Sequence, residues 1–196
     1  MRGIEINGIG TGLNGIRFLS GSSLLVENCT IYDFTNLGID MNLTGQTGDL
    51  FVRNTSIKDS GGGIRVAVSG AFLSLTVKDV YFTRIGNNAL EVATGNASMN
   101  VDNALIARTS STGASNAVVA SASGALINLN NSMLVNNTNA VHASTSGALI
   151  RLNNNALYNN TNGIVIAAGA TVASANNNKL AGNGPSAAPN ANITVQ

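Results

Sequence analysis

The run Leu152-Asn153-Asn154-Asn155-Ala156-Leu157 decides the fold, because versions of it return at nearly fixed spacing along the chain. Earlier copies are Val26-Glu27-Asn28 ahead of Ile31, Val52-Arg53-Asn54 ahead of Ile57, Val77-Lys78-Asp79 ahead of Phe82, and Val101-Asp102-Asn103 ahead of Ile106. Leu129-Asn130-Asn131 ahead of Leu134 and Ala175-Asn176-Asn177 ahead of Leu180 complete the set. The central residues are Asn28, Asn54, Asp79, Asn103, Asn131, Asn154 and Asn177, separated by 26, 25, 24, 28, 23 and 23 residues. Such a period marks a repeat architecture, in which no unit buries its apolar face alone.

An L-residue seldom takes the left-handed helical conformation; Gly does so freely, and Asn and Asp do so more often than the rest because their short polar side chains bond locally. A column of Asn with one Asp therefore predicts a tight bend at positive φ once per repeat. Gly3, 25 residues before Asn28, fits the same column. Stacked at the strand-to-strand spacing of ~4.8 Å, these amides are expected to hydrogen-bond from one copy to the next as a ladder. A disordered Asn-rich tract is excluded by the apolar residues that alternate on both sides of every Asn.

At 196 residues the chain predicts one domain, 1–196. Charged residues are only 10% while hydrophobic ones reach 44%, so the expected surface is Ser, Thr and Asn around an interior of Val, Ile, Leu and Ala. A net charge of +1 argues against a nucleic-acid partner or an anionic membrane surface, both of which need clustered Lys and Arg. No apolar run is long enough for a membrane span. The single cysteine, Cys29, stands where other copies carry Thr55, Val80, Ala104 and Ser132, so it reads as a small buried filler.

Each repeat divides into three short strand-like runs. The first is Gly15-Ile16-Arg17-Phe18, Gly38-Ile39-Asp40-Met41, Gly63-Ile64-Arg65-Val66, Ala89-Leu90-Glu91-Val92, Ala117-Val118-Val119-Ala120, Ala140-Val141-His142-Ala143 and Gly163-Ile164-Val165-Ile166. Alternation turns the second and fourth residues inward and the third outward. A turn with Gly21, Gly45, Gly70, Gly95, Gly124, Gly147 or Gly169 leads to the second run, with pairs such as Leu50 and Val52 inward. After the bend, the third run sends Ile31, Ile57, Phe82, Ile106, Leu134, Leu157 and Leu180 to the same interior. No segment has a helical period, which excludes βαβ units, and the Leu-spaced consensus of leucine-rich repeats is absent. The expected fold is all-β: a parallel β-helix of about seven coils with three parallel sheets and an Asn ladder at one bend. The first coil is incomplete at Met1-Arg2-Gly3, and its Ile4, Ile6, Ile16 and Phe18 are expected to be covered by another chain or by further residues. At the other end 182–196 forms a cap, where Pro185 and Pro189 block strand addition.

With its Asn column and Gly-Ile-x-Val starts, the chain resembles the right-handed parallel β-helix, or pectate-lyase-like, superfamily over nearly its whole length. More narrowly, Gly10-Thr11-Gly12-Leu13-Asn14-Gly15-Ile16-Arg17-Phe18 and Asn176-Asn177-Asn178-Lys179-Leu180-Ala181-Gly182-Asn183-Gly184 are similar to stretches of uncharacterised bacterial exported β-helix proteins. The resemblance implies right-handedness and a secreted, periplasmic or cell-surface location, although no signal peptide is present in this sequence.

The resemblance also places active sites on the first sheet, whose outward column reads Arg17, Asp40, Arg65, Glu91, Val119, His142, Val165. Arg17, Asp40, Arg65, Glu91 and His142 are thus the candidate ligand-binding residues, with Asp40, Arg65 and Glu91 the candidate catalytic set. Asp40 and Glu91 stand two coils apart, ~10 Å along the sheet, near the upper end of the carboxyl separation in inverting glycosidases. Arg65 between them would keep both ionised, which suits neither a general acid nor its water-activating partner. The alternative is a ladder of ion pairs. None of the superfamily's calcium-binding or acid-base motifs is present, His142 has no acidic neighbour, and nine scattered Asp and Glu predict neither a metal site nor a cofactor. A second column before the bends, Glu27, Arg53, Lys78, Asp102, Asn130, Asn153, Asn176, exchanges charge for amide in the same way. The outward Leu25 and Phe51 form an apolar pair, read either as a contact for a loop or partner or as a surface covered by the turn from Gly45 to Asp49.

Three functions follow as expectations. The first is a non-catalytic exported scaffold or weak polysaccharide-binding module. The second is a polysaccharide lyase or glycoside hydrolase acting along the first sheet. The third is a piece of an adhesin or passenger domain. A homo-oligomer or end-to-end contact through the first coil is a possible assembly.

Overall fold

The computed structural model describes residues 1–67, 71–109 and 115–193. Gly70, expected at one of the turns, lies outside the described residues. Eighteen strands and no helix occur among them, and the strand pairings are parallel throughout. Each run pairs with the corresponding run one repeat later. Ile39 sits beside Ile16 and Ile64, Leu50 beside Leu24 and Leu75, and Ile57 beside Ile31 and Phe82. Three parallel sheets therefore run along a common axis, and the chain winds through them about seven times.

The interior is the stack of inward residues. Ile31, Ile39, Leu50, Ile57, Ile64, Leu75, Phe82, Leu90, Ile106, Ile127, Leu134, Ile150, Leu152 and Leu157 are fully buried in one cluster that extends from Ile16 to Val172. Within one coil each of these would leave its upper and lower faces in water; the neighbouring coils cover them, at a gain of about 1.5–3 kcal/mol per large side chain. The first sheet begins with glycine in several coils for a steric reason. A Cβ on Gly63 would come within 2.2 Å of the Ala89 carbonyl oxygen, and one on Gly15 within 2.7 Å of the Gly38 oxygen.

Positive φ falls at Gly3, Asn28, Asn54, Asp79, Asn103, Asn131 and Asn154, as the column predicts. In the last copy it falls at Asn176 instead of Asn177. Ser174 pairs with Leu152, which sets Asn176 beside Asn154, and Lys179 pairs with Ala156, so Asn177 is an extra residue after the corner. It still bonds to the coil below, accepting from the Asn154 N–H at 2.8 Å and donating to Asn153 Oδ1 at 2.9 Å.

A second column of left-handed corners follows the first, at Asp33, Asp59, Arg84, Arg108, Asn136, Asn159 and Gly182. The third sheet is thus the short straight between two sharp corners.

Behind both corners the chain carries buried ladders. The residue after the first corner offers its side-chain oxygen to the backbone N–H of the coil below. Thr55 Oγ1 accepts from Cys29 N, Ser132 Oγ from Ala104 N, Asn155 Oδ1 from Ser132 N, and Asn178 Oδ1 from Asn155 N. After the second corner, Ser60 serves Phe34, Asn137 serves Thr109, Asn160 serves Asn137, and Asn183 serves Asn160. A third ladder joins Asn88, Asn116, Asn139 and Asn162 side by side at the start of the first sheet. Ladders thus occur at both bends flanking the third sheet and at the entry to the first, whereas the sequence predicts a single one, at the first of these bends.

The two ends differ. Glu5–Phe18 pairs along one side only, with Ile4 and Ile9 exposed and Ile6 half-buried. At the far end, Pro185 accepts from the Gly163 N–H, Ala187 N–H donates to the Ile164 oxygen, and Ala191–Asn192 pairs with Thr171–Ser174. These residues cover the first and second sheets and leave the third open. Leu180, expected in the interior, is consequently 43% exposed.

The buried ladder predicts a contrast between neighbouring asparagines. Asn160 accepts from Asn137 N at 2.9 Å and Asn137 Nδ2 at 3.0 Å, and donates to the Leu134 oxygen at 3.0 Å. Asn160→Ala strands all three groups and is expected to cost about 1–3 kcal/mol. Asn136→Gly, at the exposed corner, is expected to cost only a few tenths, since glycine adopts the same φ freely. Urea unfolding midpoints of the two variants check both values.

Candidate functional site

The outward column of the first sheet lines up as expected. Arg17, Asp40, Arg65, Glu91, Val119, His142 and Val165 are consecutive partners in register. Asp40, however, is not an exposed acid. Its residue is 1% accessible, with Arg17 Nε 3.3 Å from Oδ2 below and Arg65 Nη2 3.1 Å from Oδ1 above. Both oxygens are committed to guanidinium groups whose outer ends remain in water. Glu91 is tied within its own neighbourhood. Oε2 accepts from Asn88 Nδ2 at 3.0 Å, and Oε1 from the Ser121 hydroxyl at 2.9 Å. Val119, next in the column, is buried between Glu91 and His142 in the same register. The candidate catalytic set therefore lacks a carboxyl free to donate a proton or to activate water.

His142 is half-buried, with Nδ1 3.0 Å from the Asn116 amide oxygen. Burial pushes the imidazole below its ordinary value near 6.5.

The second column pairs its charges along the axis in the same manner. Glu27 lies between Arg2, at 3.4 Å, and Arg53, at 2.8 Å, and Lys78 meets Asp102 at 3.1 Å. The hydrogen bond from Asn131, ahead of Lys78, holds the Asp102 carboxyl below the usual range. Arg84 also bonds Asp59 across one coil, and this guanidinium lowers the Asp59 carboxyl. No group of three or more His, Cys, Asp or Glu able to hold a metal ion occurs among the described residues.

Leu25 and Phe51 are adjacent in register and 40% and 43% exposed, so the turn from Gly45 to Asp49 does not cover them. With Arg53, Thr76 and Lys78 they line a shallow depression of about 300 Å³.

A second concavity lies on the outer face of the third sheet, where sequence reasoning placed nothing. Tyr81, Leu105, Met133, Ala156 and Lys179 are consecutive in register. Tyr81, Leu105 and Met133 are 39%, 37% and 44% exposed. The corner residues Asp79, Asn103, Asn131 and Asn154 form the adjacent wall of a groove of about 600 Å³. The corner amides bond along the axis, Asn103 Nδ2 to Asp79 Oδ1 at 2.6 Å and Asn154 Nδ2 to Asn131 Oδ1 at 2.8 Å. The outer ladder predicted at this bend is therefore present as two separate rungs beside the buried one, with Asn131 donating to Asp102 between them, and it borders the groove. The available signal was the outward third-run residue, apolar in three successive coils.

Two outcomes are expected from the charges. Arg17→Met with Arg65→Met leaves the buried Asp40 carboxylate unpaired and is expected to cost about 3–5 kcal/mol. Asp40→Asn leaves two arginines that can turn to water and should cost clearly less. Denaturant unfolding of the two variants decides this, and equal losses would contradict it. For His142 the unfolded chain takes up a proton first as pH falls below about 6.5, and the folded chain only lower, so stability falls with pH in that window. The loss between pH 7 and pH 5 should be smaller in His142→Gln, read from the same unfolding curves.

A search of curated proteins returned no match, and neither did a search of solved structures. A family model described as the right-handed β-helix region matches residues 2–106. That span contains the first-column corners from Gly3 to Asn103, the five cross-coil ion pairs of the first two columns and both members of the Leu25–Phe51 pair. The chain belongs to the right-handed β-helix family.

Proposed function

We propose that this protein is a non-catalytic β-helix module that acts as a rigid scaffold and binds polysaccharide along its length. The observation that carries the reading is the state of Asp40, buried and held by an arginine on each side. A general acid must hold a proton near neutral pH and must reach its substrate. Asp40 is buried with both oxygens taken up by arginines, so it cannot reach a substrate, and both Glu91 oxygens are engaged by Asn88 and Ser121. The same side chains make good fasteners, since each links adjacent coils. An exported location, as in the pectate-lyase-like proteins that the chain resembles, goes with this reading: a surface of Ser, Thr and Asn has hydroxyl and amide groups to offer a glycan. This step is an analogy of fold and surface chemistry.

The test is a panel of soluble polysaccharides, with and without calcium, assayed for new reducing ends and unsaturated products and for retardation of the protein in affinity gels. Retardation by at least one polymer with no turnover is the expected result. Turnover that disappears in Asp40→Asn would restore the enzyme reading. Absence of retardation across the panel would remove polysaccharide binding.

A further inference from the structure

We propose that the outer groove of the third sheet, from Tyr81 to Ala156, is the binding strip, and that its ligand is an uncharged polysaccharide lying along the axis of the helix. The inference rests on the polymer-binding reading above and assigns it a place and a class of ligand.

Three observations converge. The floor is an apolar file in register. Tyr81, Leu105, Met133 and Ala156 stand side by side in four successive coils, with Ala107, Val135 and Tyr158 half-buried on the same face. An exposed apolar file of this length, rimmed by polar groups, is the composition of a binding surface. A tyrosine ring and a methionine side chain suit the flat C–H faces of a pyranose.

The wall is a row of amides at a regular interval. Each primary amide has two donor hydrogens and two acceptor lone pairs. Asn103 donates one hydrogen to Asp79 and Asn154 one to Asn131, so a second donor remains on each. Asn131 likewise uses one, toward Asp102. The coils repeat at ~4.8 Å, so the row offers one such group per step, and five coils from Tyr81 to Lys179 span roughly 19 Å. That step is close to the length of one sugar in an extended chain, so successive hydroxyls can meet successive amides without strain in either partner.

Charge selects the class. The groove carries Asp79 at one end and Lys179 at the other, with only uncharged residues between them. An anionic polymer such as a polyuronate needs a row of cations, which this groove lacks. The Leu25–Phe51 depression, flanked by Arg53 and Lys78, has the opposite character and no amide row, and serves as the control.

The experiment compares the intact protein with Tyr81→Ala/Met133→Ser and with Leu25→Ser/Phe51→Ser in affinity gels containing neutral glucans, mannans and xylans or anionic pectate and alginate. All substituted side chains are partly exposed, and matching urea midpoints establish that the variants are folded. The intact protein should be retarded by a neutral polymer. Its apparent Kd should rise at least about tenfold in the groove variant, the loss expected when an aromatic anchor is truncated, and stay unchanged in the control. Retardation unaffected in the groove variant, or seen with anionic polymers alone, would overturn the assignment and leave polymer binding standing. No retardation of the intact protein by any polymer would overturn both. A dimer in light scattering that the groove variant dissociates would mark the strip as a contact between copies and would also overturn the glycan assignment.

Discussion

A chain that turns a sharp corner must point a backbone N–H group into the interior, and that group has to find an acceptor there. In this protein the corners come twice per coil beside the third sheet, and in the later coils the acceptor is supplied by the coil above, whereas Val80 and Ala104 have no side-chain oxygen to offer. The N–H of Asn155 is satisfied by Asn178, that of Ser132 by Asn155, and that of Asn137 by Asn160. An unpaired buried donor costs about 1–3 kcal/mol, comparable to the apolar gain from one buried side chain, so corner and core depend on each other. Neither survives in an isolated coil. The parallel register that stacks isoleucine on isoleucine is the same register that brings each side-chain oxygen beneath the donor it serves.

The polar links change chemistry along the axis while keeping their geometry. Ion pairs join the earlier coils, through Arg2–Glu27–Arg53, Arg17–Asp40–Arg65, Arg84–Asp59 and Lys78–Asp102. In the later coils amide pairs replace them, Asn154 with Asn131, Asn139 with Asn116 and Asn162 with Asn139. Exposed ion pairs and amide pairs contribute little individually. Their shared effect is on register, because a slip of one residue would bring unlike partners together in every column at once. Asp40 shows how strongly this requirement acts: its carboxylate is buried and held by an arginine from the coil on each side.

Legibility in the sequence followed the number of residue types that can fill a position. The first corner could be read because only Asn, Asp and Gly occupy it. The last copy was misplaced by one because Asn176, Asn177 and Asn178 are consecutive and composition cannot say which of three equivalent amides takes the bend. The second corner was illegible, since Arg84 and Arg108 take positive φ there and arginine gives no local sign of it. The inward file was legible from alternation, up to Leu180, whose burial depended on a further coil over the third sheet. The groove was harder. A three-residue run such as Met133–Val135 has one inward residue and two outward ones, and an apolar outward residue looks like a second core position until the register is known.

The groove and the scaffold are products of one geometry. Ligands that bind flexible loops lose affinity to the ordering of those loops, a cost of about 0.5–1.5 kcal/mol per immobilised side chain. Here Asn103 and Asn154 are already held by their neighbours along the axis, and Tyr81, Leu105 and Met133 stand on strands whose backbone is fixed from both sides. The bonds that stiffen the stack also space the free donors at the interval of the coils. A repeating solenoid therefore arrives at a repeating, preorganised surface with no further design. A surface of that kind favours an extended polymer over a compact ligand, because a compact ligand could engage only one or two of its steps.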